Sequence, residues 1–82
     1  MQVTVFNNTT SFFGKKLGDY LDQKGVSYDE KFIDQDDDAR KLLSEKSGGF
    51  LGVPVLIVDK DGETQKIIGF DKMKIDKVLG LN

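Results

Sequence analysis

The densest cluster of potential ligands is acidic. Asp34, Asp36, Asp38 and Glu45 stand at the spacing D-x-[DN]-x-[DN]-G-x5-E of a calcium-binding loop, in which carboxylates wrap a hard cation and a glycine makes the sharp turn. Ala39 occupies the glycine position, and its Cβ penalises that turn. Lys31-Phe32-Ile33 before the pattern reads as a strand, and Leu42 and Leu43 after it read as the core face of a helix, whereas a calcium loop follows a helix. The acids are therefore read as helix N-capping and solvated charge, favoured at that end by the macrodipole. Gly48-Gly49-Phe50-Leu51-Gly52 lacks the spacing of a phosphate-cradling loop and does not join a strand to a helix, so it is read as a connection. The sequons Asn7-Asn8-Thr9 and Asn8-Thr9-Thr10 are read as turn chemistry.

Two other segments carry more weight. Thr10-Ser11-Phe12-Phe13-Gly14 is a strand-to-helix turn, where backbone N–H groups and the helix dipole favour an anion. Pro54, the single proline, follows Val53 at the start of an apolar strand, where its fixed φ and missing N–H must be accommodated. A cis Val53–Pro54 bond would leave a backbone edge free to pair with a partner. The structural alternatives are simple: Ser11 as an N-cap and Pro54 as a strand-start residue.

The composition removes whole classes of chemistry. Among 82 residues there are 0 Cys and 0 His, so disulfides, thiolate nucleophiles, cysteine or imidazole metal sites, and Ser–His or Cys–His catalysis are excluded. A net charge of -2 does not provide the basic face that phosphate neutralisation demands, which argues against nucleic acid. The longest apolar run, Val53–Val58, is far short of the roughly 20 residues of a membrane helix. The first residues lack the basic head and apolar stretch of a signal peptide, so the expected location is the cytoplasm.

Periodicity supplies the elements that must position these residues. Val3 and Val5 alternate with Gln2 and Thr4, and Phe6 leads into the polar turn Asn7–Thr10. Phe13, Leu17, Tyr20 and Leu21 form one helical stripe, expected to be buried, with Lys15, Lys16, Asp19 and Asp22 opposite and Gly25 as the stop. Val26–Asp34 supports a second strand, and Asp36 or Asp37 caps a helix reaching Lys46. A loop over Ser47–Gly52 then leads to a strand over Val53–Val58, which Lys60-Asp61-Gly62 turns into Glu63–Ile68 as a hairpin. Ile75, Val78 and Leu79 give a last helix its apolar side before Gly80. The order βαβ-ββα predicts one α/β domain over residues 1–82, with four strands and helices on both faces of the sheet.

This order, together with Gly25-Val26-Ser27-Tyr28, Val53-Pro54-Val55 after a glycine-rich loop, and Ile68-Gly69-Phe70-Asp71, resembles the small glutaredoxins along nearly the whole chain. The resemblance implies a thioredoxin-like fold, a mixed sheet of order 2-1-3-4 with three helices on its two faces, and a cis proline at Pro54. Members of that family exchange thiols and disulfides through Cys-Pro-Tyr-Cys, which falls here on Ser11-Phe12-Phe13-Gly14. Both cysteines are absent, and a serine hydroxyl cannot form a redox couple.

What the resemblance implies for glutathione is partly kept. Phe13 matches the motif aromatic, Val53 the residue that pairs by its main chain, and Gly69-Phe70-Asp71 the turn whose aspartate receives the glutamyl ammonium. Asn8 stands where a basic residue holds the glycyl carboxylate, with Lys15 and Lys16 as nearby substitutes. The expected ligand-binding set is Ser11, Phe12, Phe13, Val53, Pro54, Gly69, Phe70 and Asp71, with no metal and no resident cofactor.

The expected function is non-redox binding of glutathione, another small thiol or an extended peptide by a monomer. Three alternatives stand beside it: an oxidoreductase of cell redox homeostasis in which Ser11 replaces a cysteine or selenocysteine; activation of glutathione by Ser11, as serine does in some glutathione transferases; and a protein-interaction module.

Overall fold

Val3 and Val5 alternate with Thr4 and Phe6, so a single strand can bury both of its faces. In the computed structural model, which describes residues 1–81, this is the case; the last residue of the domain expected over 1–82 lies outside that range. Strand β1 (Gln2–Asn7) runs beside β2 (Asp29–Phe32) in parallel and beside β3 (Val55–Lys60) antiparallel, with Val5 opposite Leu56. Strand β4 (Glu63–Ile68) pairs antiparallel with β3, completing the order β2-β1-β3-β4. The expected thioredoxin-like sheet is thus observed.

Helix α1 (Phe12–Gln23) and helix α3 (Lys72–Leu79) cover one face, and α2 (Asp37–Ser47) covers the other. On the first face Leu17, Tyr20, Leu21 and Ile75 pack on Val3, Val5, Leu56, Val58 and Ile67. On the second, Leu43 packs on Phe6, Val55 and Ile57. Each helix begins on a side-chain oxygen that satisfies orphan amides: Ser11, Asp36 and Asp71 accept from Gly14, from Asp38 and Ala39, and from Lys74 respectively. The β3–β4 turn places Asp61 at φ 54° and Gly62 at φ 79°, the paired positive φ of a tight hairpin.

Four expectations need correction. The second strand spans Asp29–Phe32 only, because Val26–Tyr28 cross from α1 to the sheet without ladder partners. Helix α2 runs through Ser47, not Lys46; Ser47 is buried and its hydroxyl donates to the Phe50 carbonyl at 2.6 Å, closing the turn after the helix. The third strand starts at Val55, leaving Val53 and Pro54 ahead of the ladder. Phe13 is 57% exposed: it shares a helical face with Leu17, but it lies in the first turn, beyond the sheet end that the rest of the stripe covers.

Strand directions gather the connections. The C-terminal ends of β1, β2 and β4 and the N-terminal end of β3 all lie on one edge of the layered structure. The turn into α1, the segment before β3 and the turn into α3 therefore meet there, although they are far apart in sequence.

The two-sided core makes a quantitative expectation. Leu43 carries the α2 face and is fully buried, so Leu43→Ala is expected to cost about 2–5 kcal/mol. Met73, 84% exposed, is expected to tolerate alanine within about 0.5 kcal/mol. Urea denaturation of both variants checks this; equal midpoints would contradict the packing described.

Candidate functional site

The first part of the site is the turn between β1 and α1. Ser11 caps the helix in extended geometry, its Oγ accepting from the Gly14 amide at 3.1 Å. Behind it, Asn7 is buried at the end of β1. Its Oδ1 accepts from the Asn8 amide at 2.9 Å and its Nδ2 donates to Glu30 of β2 at 3.4 Å. A Cβ built on Gly14 would stand 1.7 Å from Asn7 Oδ1, far inside van der Waals contact. Position 14 is therefore closed to a side chain while Asn7 keeps its hydrogen bonds.

A second clamp holds the turn from outside. Asp34, just beyond β2, accepts from the Thr9 amide at 3.2 and 3.1 Å through its two oxygens, and Thr9 Oγ1 donates to it at 2.6 Å. The Thr9 hydroxyl, helped by the amide, holds the Asp34 carboxyl below its ordinary pKa. Asp34 and Asp36, two acids of the calcium-like pattern, are thus engaged in turn clamping and helix capping. Asn8, at the place of the glycyl-carboxylate contact, turns its Oδ1 to the Thr10 amide at 3.1 Å.

The second part is an open cleft of about 680 Å³ across the sheet end. It brings together Phe13, Val53, Pro54, Gly69, Phe70 and Asp71 of the expected set. Ser11 and Phe12 do not line it: Ser11 is turned to the Gly14 amide, and Phe12 stacks edge-on against Phe13 with centroids 5.4 Å apart. Lys16 lies over the Phe12 ring, its Nζ 5.2 Å from the centroid. The cleft adds Ile68, Lys72 and Met73, which sequence reasoning missed. Ile68 and Met73 flank Gly69-Phe70-Asp71, and their being apolar yet outside the buried stripes was the available signal.

Around the Val53–Pro54 bond, which is cis, the Pro54 carbonyl accepts from the Gly69 amide at 2.8 Å. The main chain of Val53 makes no backbone hydrogen bond among the described residues. Asp71 spends one oxygen on the Lys74 amide at 3.2 Å, leaving the other for a donor in the cleft. The floor is tied to the core: Phe70 meets Tyr20 edge to face at 5.7 Å, and the Tyr20 hydroxyl donates to Asp76. That bond, with burial, raises the Tyr20 pKa above its ordinary value. Lys24 and Lys72 lie over the same ring at 5.6 and 5.1 Å. No group of acids suited to hold a metal ion occurs among the described residues.

Comparison with known proteins agrees with the fold. A family model for glutaredoxins matches residues 3–63, and the chain belongs to the glutaredoxin family. Among solved structures it is similar to a variant of the thioredoxin-like protein BC3987, 21% identical over 99% of this chain and 97% of that one, with a TM-score of 0.84. The glutaredoxin from Archaeoglobus fulgidus is 22% identical over 95% of this chain and 85% of its own, at TM-score 0.76. Buckwheat glutaredoxin, solved as a complex with glutathione, is 23% identical over 96% and 70%, at TM-score 0.66. No curated protein matches the chain. No helix among the described residues is long and apolar enough to cross a membrane.

The turn yields two expectations. Gly→Ala inside a helix ordinarily stabilises by about 1 kcal/mol, but Gly14→Ala is expected to destabilise by about 1–3 kcal/mol because of the overlap with Asn7. In an Asn7→Ala background the sign should reverse, which a double-mutant cycle by urea denaturation measures. For Asp34, a folded pKa below the unfolded one gives stability that is present above the unfolded value and lost as pH falls through the folded value. The midpoint difference between the parent chain and Asp34→Asn should thus be full above the ordinary aspartate value of about 4 and fade as pH falls below it; a constant difference would remove the ionic clamp.

Proposed function

We propose that this chain is a cysteine-free member of the glutaredoxin family that binds glutathione, another small thiol or an extended peptide without redox turnover. The observation that carries the reading is the cleft in which the Val53 main chain, without a backbone partner among the described residues, lies with the Gly69–Asp71 turn. A tripeptide or extended segment would pair with Val53, place an ammonium on the free Asp71 oxygen and lay its thiol arm beside Phe13. Ser11, whose oxygen accepts from Gly14, keeps its own proton to donate to a thiolate at the cleft edge. Buckwheat glutaredoxin, which shares the fold and is bound to glutathione, supports the choice of ligand. Asn8 is occupied within its turn, so a ligand carboxylate would be met by Lys72 at the cleft wall and affinity would be modest.

Titration with reduced glutathione up to millimolar concentration, followed by amide chemical shifts, is expected to move Val53, Gly69 and Asp71. Silence at those amides would end this reading.

A second reading is favoured by the cap at Ser11. A thiol in that place would sit at the N-terminus of α1 within reach of the Gly14 amide, the arrangement that stabilises a thiolate. In this reading the natural residue at position 11 is cysteine or selenocysteine, and the protein is a single-thiol, glutathione-dependent oxidoreductase of redox homeostasis, a form that the closure of position 14 suits. Ser11→Cys is expected to titrate below the ~8.5 of a free thiol, measured by the pH dependence of alkylation; a value at or above it would count against this reading.

A further inference from the structure

Strand β4 is an outer strand of the sheet, and its far side is an open row of main-chain groups. The Gly69 amide donates to the Pro54 carbonyl at 2.8 Å, and antiparallel pairing alternates bonded and unbonded pairs from that point. Glu63, Gln65 and Ile67 therefore exchange hydrogen bonds with β3, whereas Thr64, Lys66 and Ile68 turn their N–H and C=O groups away from it. Those outward groups have no backbone partner among the described residues.

A groove of about 450 Å³ runs beside this edge, between β4 and α3. Ile67, 3% exposed, and the half-buried Val78 give it an apolar floor, and the exposed Gln65, Lys74 and Lys77 complete its lining. Lys74 and Lys77 stand three residues apart, on one side of the helix. Neither forms an ion pair among the described residues. The two acids nearest in sequence are engaged elsewhere: Asp71 accepts from the Lys74 amide, and Asp76 from the Tyr20 hydroxyl. On the opposite face Lys66 turns its ammonium to the Ser47 carbonyl of α2 at 3.4 Å, so positive charge flanks the β4 edge on both sides. A lone edge lysine guards a sheet against unwanted pairing. Here two helix lysines and an apolar groove accompany it.

From this combination we infer that the β4 edge receives an extended, acidic segment of a partner protein as a fifth strand. The inference is independent of the cleft at Val53–Pro54 and of what fills it. The segment pairs by its main chain with Thr64, Lys66 and Ile68, and acids at alternate positions meet Lys74 and Lys77. Alternate residues of a strand are about 7 Å apart, and helix residues three apart are separated by about 5–6 Å at Cβ, a difference that long lysine side chains span. Charge selects this edge over the other one, because β2 presents Asp29 and Glu30, which repel the same segment. Joining β4 to β4 of a second copy would set Lys66, Lys74 and Lys77 near their own equivalents, and like charges across paired strands are destabilising.

The test uses the full chain and three end-blocked, fluorescein-labelled probes: Val-Glu-Val-Glu-Val-Thr, its counterpart with Lys in place of Glu, and the acidic peptide N-methylated throughout, which keeps the charge and removes the main-chain donors. Anisotropy is expected to show the acidic peptide binding at least about fivefold tighter than the basic one, a preference lost in about 0.5 M salt. Lys74→Glu combined with Lys77→Glu should reverse it. Unlabelled acidic peptide should slow hydrogen exchange at the Thr64, Lys66 and Ile68 amides at least about tenfold, with Gln65 and Ile67, already bonded to β3, changing less. No binding at millimolar acidic peptide, or equal binding of the acidic and basic peptides, overturns the inference. Equal binding of the N-methylated peptide overturns it in favour of ionic attraction alone. Slowed exchange or shifts at Val53 and Gly69 in place of β4 would put the peptide in the cleft and also overturn it. Sedimentation showing assembly of the chain alone, abolished by the Lys74 and Lys77 substitutions, would identify the acidic β2 edge of a second copy as the occupant and overturn it too.

Discussion

The contact between the Asn7 carboxamide and the bare Cα of Gly14 governs the site. A buried amide must have its hydrogen bonds satisfied, and Asn7 meets this by accepting from the next residue and donating to Glu30 on the neighbouring strand. Those bonds fix the side chain in the space against α1, so the helix can approach the end of β1 only where it presents no Cβ. Strand pairing, the entry angle of α1 and the position of Ser11 are thereby coupled through one polar side chain. Asp34 braces the same turn from the solvent side through Thr9, and the turn is held at both of its faces.

This coupling alters the meaning of the missing cysteines. The two positions are unlike each other. Ser11 stands where a helix N-terminus offers an amide to a side-chain heteroatom, and the exchange of oxygen for sulfur there would leave the hydrogen bond in place. Gly14 stands where any side chain collides with Asn7. Electrostatics for holding an anion are retained at the turn, while the geometry for a disulfide between the two positions is not. The cleft itself, formed by the Val53–Pro54 segment and the turn into α3, is lined by neither position.

Much of the fold was legible because its signals are local. Asp61-Gly62 between alternating apolar residues defines a hairpin, Ser11 and Asp36 are cap residues ahead of apolar periodicity, and Gly80 stops the last helix in left-handed geometry. The turn into α3 and the Val53–Pro54 pair were legible through family likeness. The tertiary contacts were not: Asp34 reaches Thr9 across 25 residues and Asn7 reaches Glu30 across 23, and no periodicity reports such pairings. Phe13 was misread for a related reason, since helical spacing assigns a face but does not say where the sheet beneath that face ends. Ile68 and Met73 escaped because an apolar residue outside a stripe is ordinary on any surface.

The wall of the cleft has a consequence of its own. Phe70 is braced by Tyr20, whose hydroxyl is held by Asp76 and whose ring lies under two ammonium groups, so α1, α3 and the cleft floor share one aromatic pair. A ring already confined before any encounter has little rotational freedom left to lose, and ordering rotamer-rich side chains at an interface costs about 0.5–1.5 kcal/mol each. On the rim, Phe13 leans only on Phe12, and Met73 is 84% exposed. Filling the cleft would therefore draw its entropic cost mainly from exposed rim side chains such as Met73, and the depth of the site would act as a fixed template.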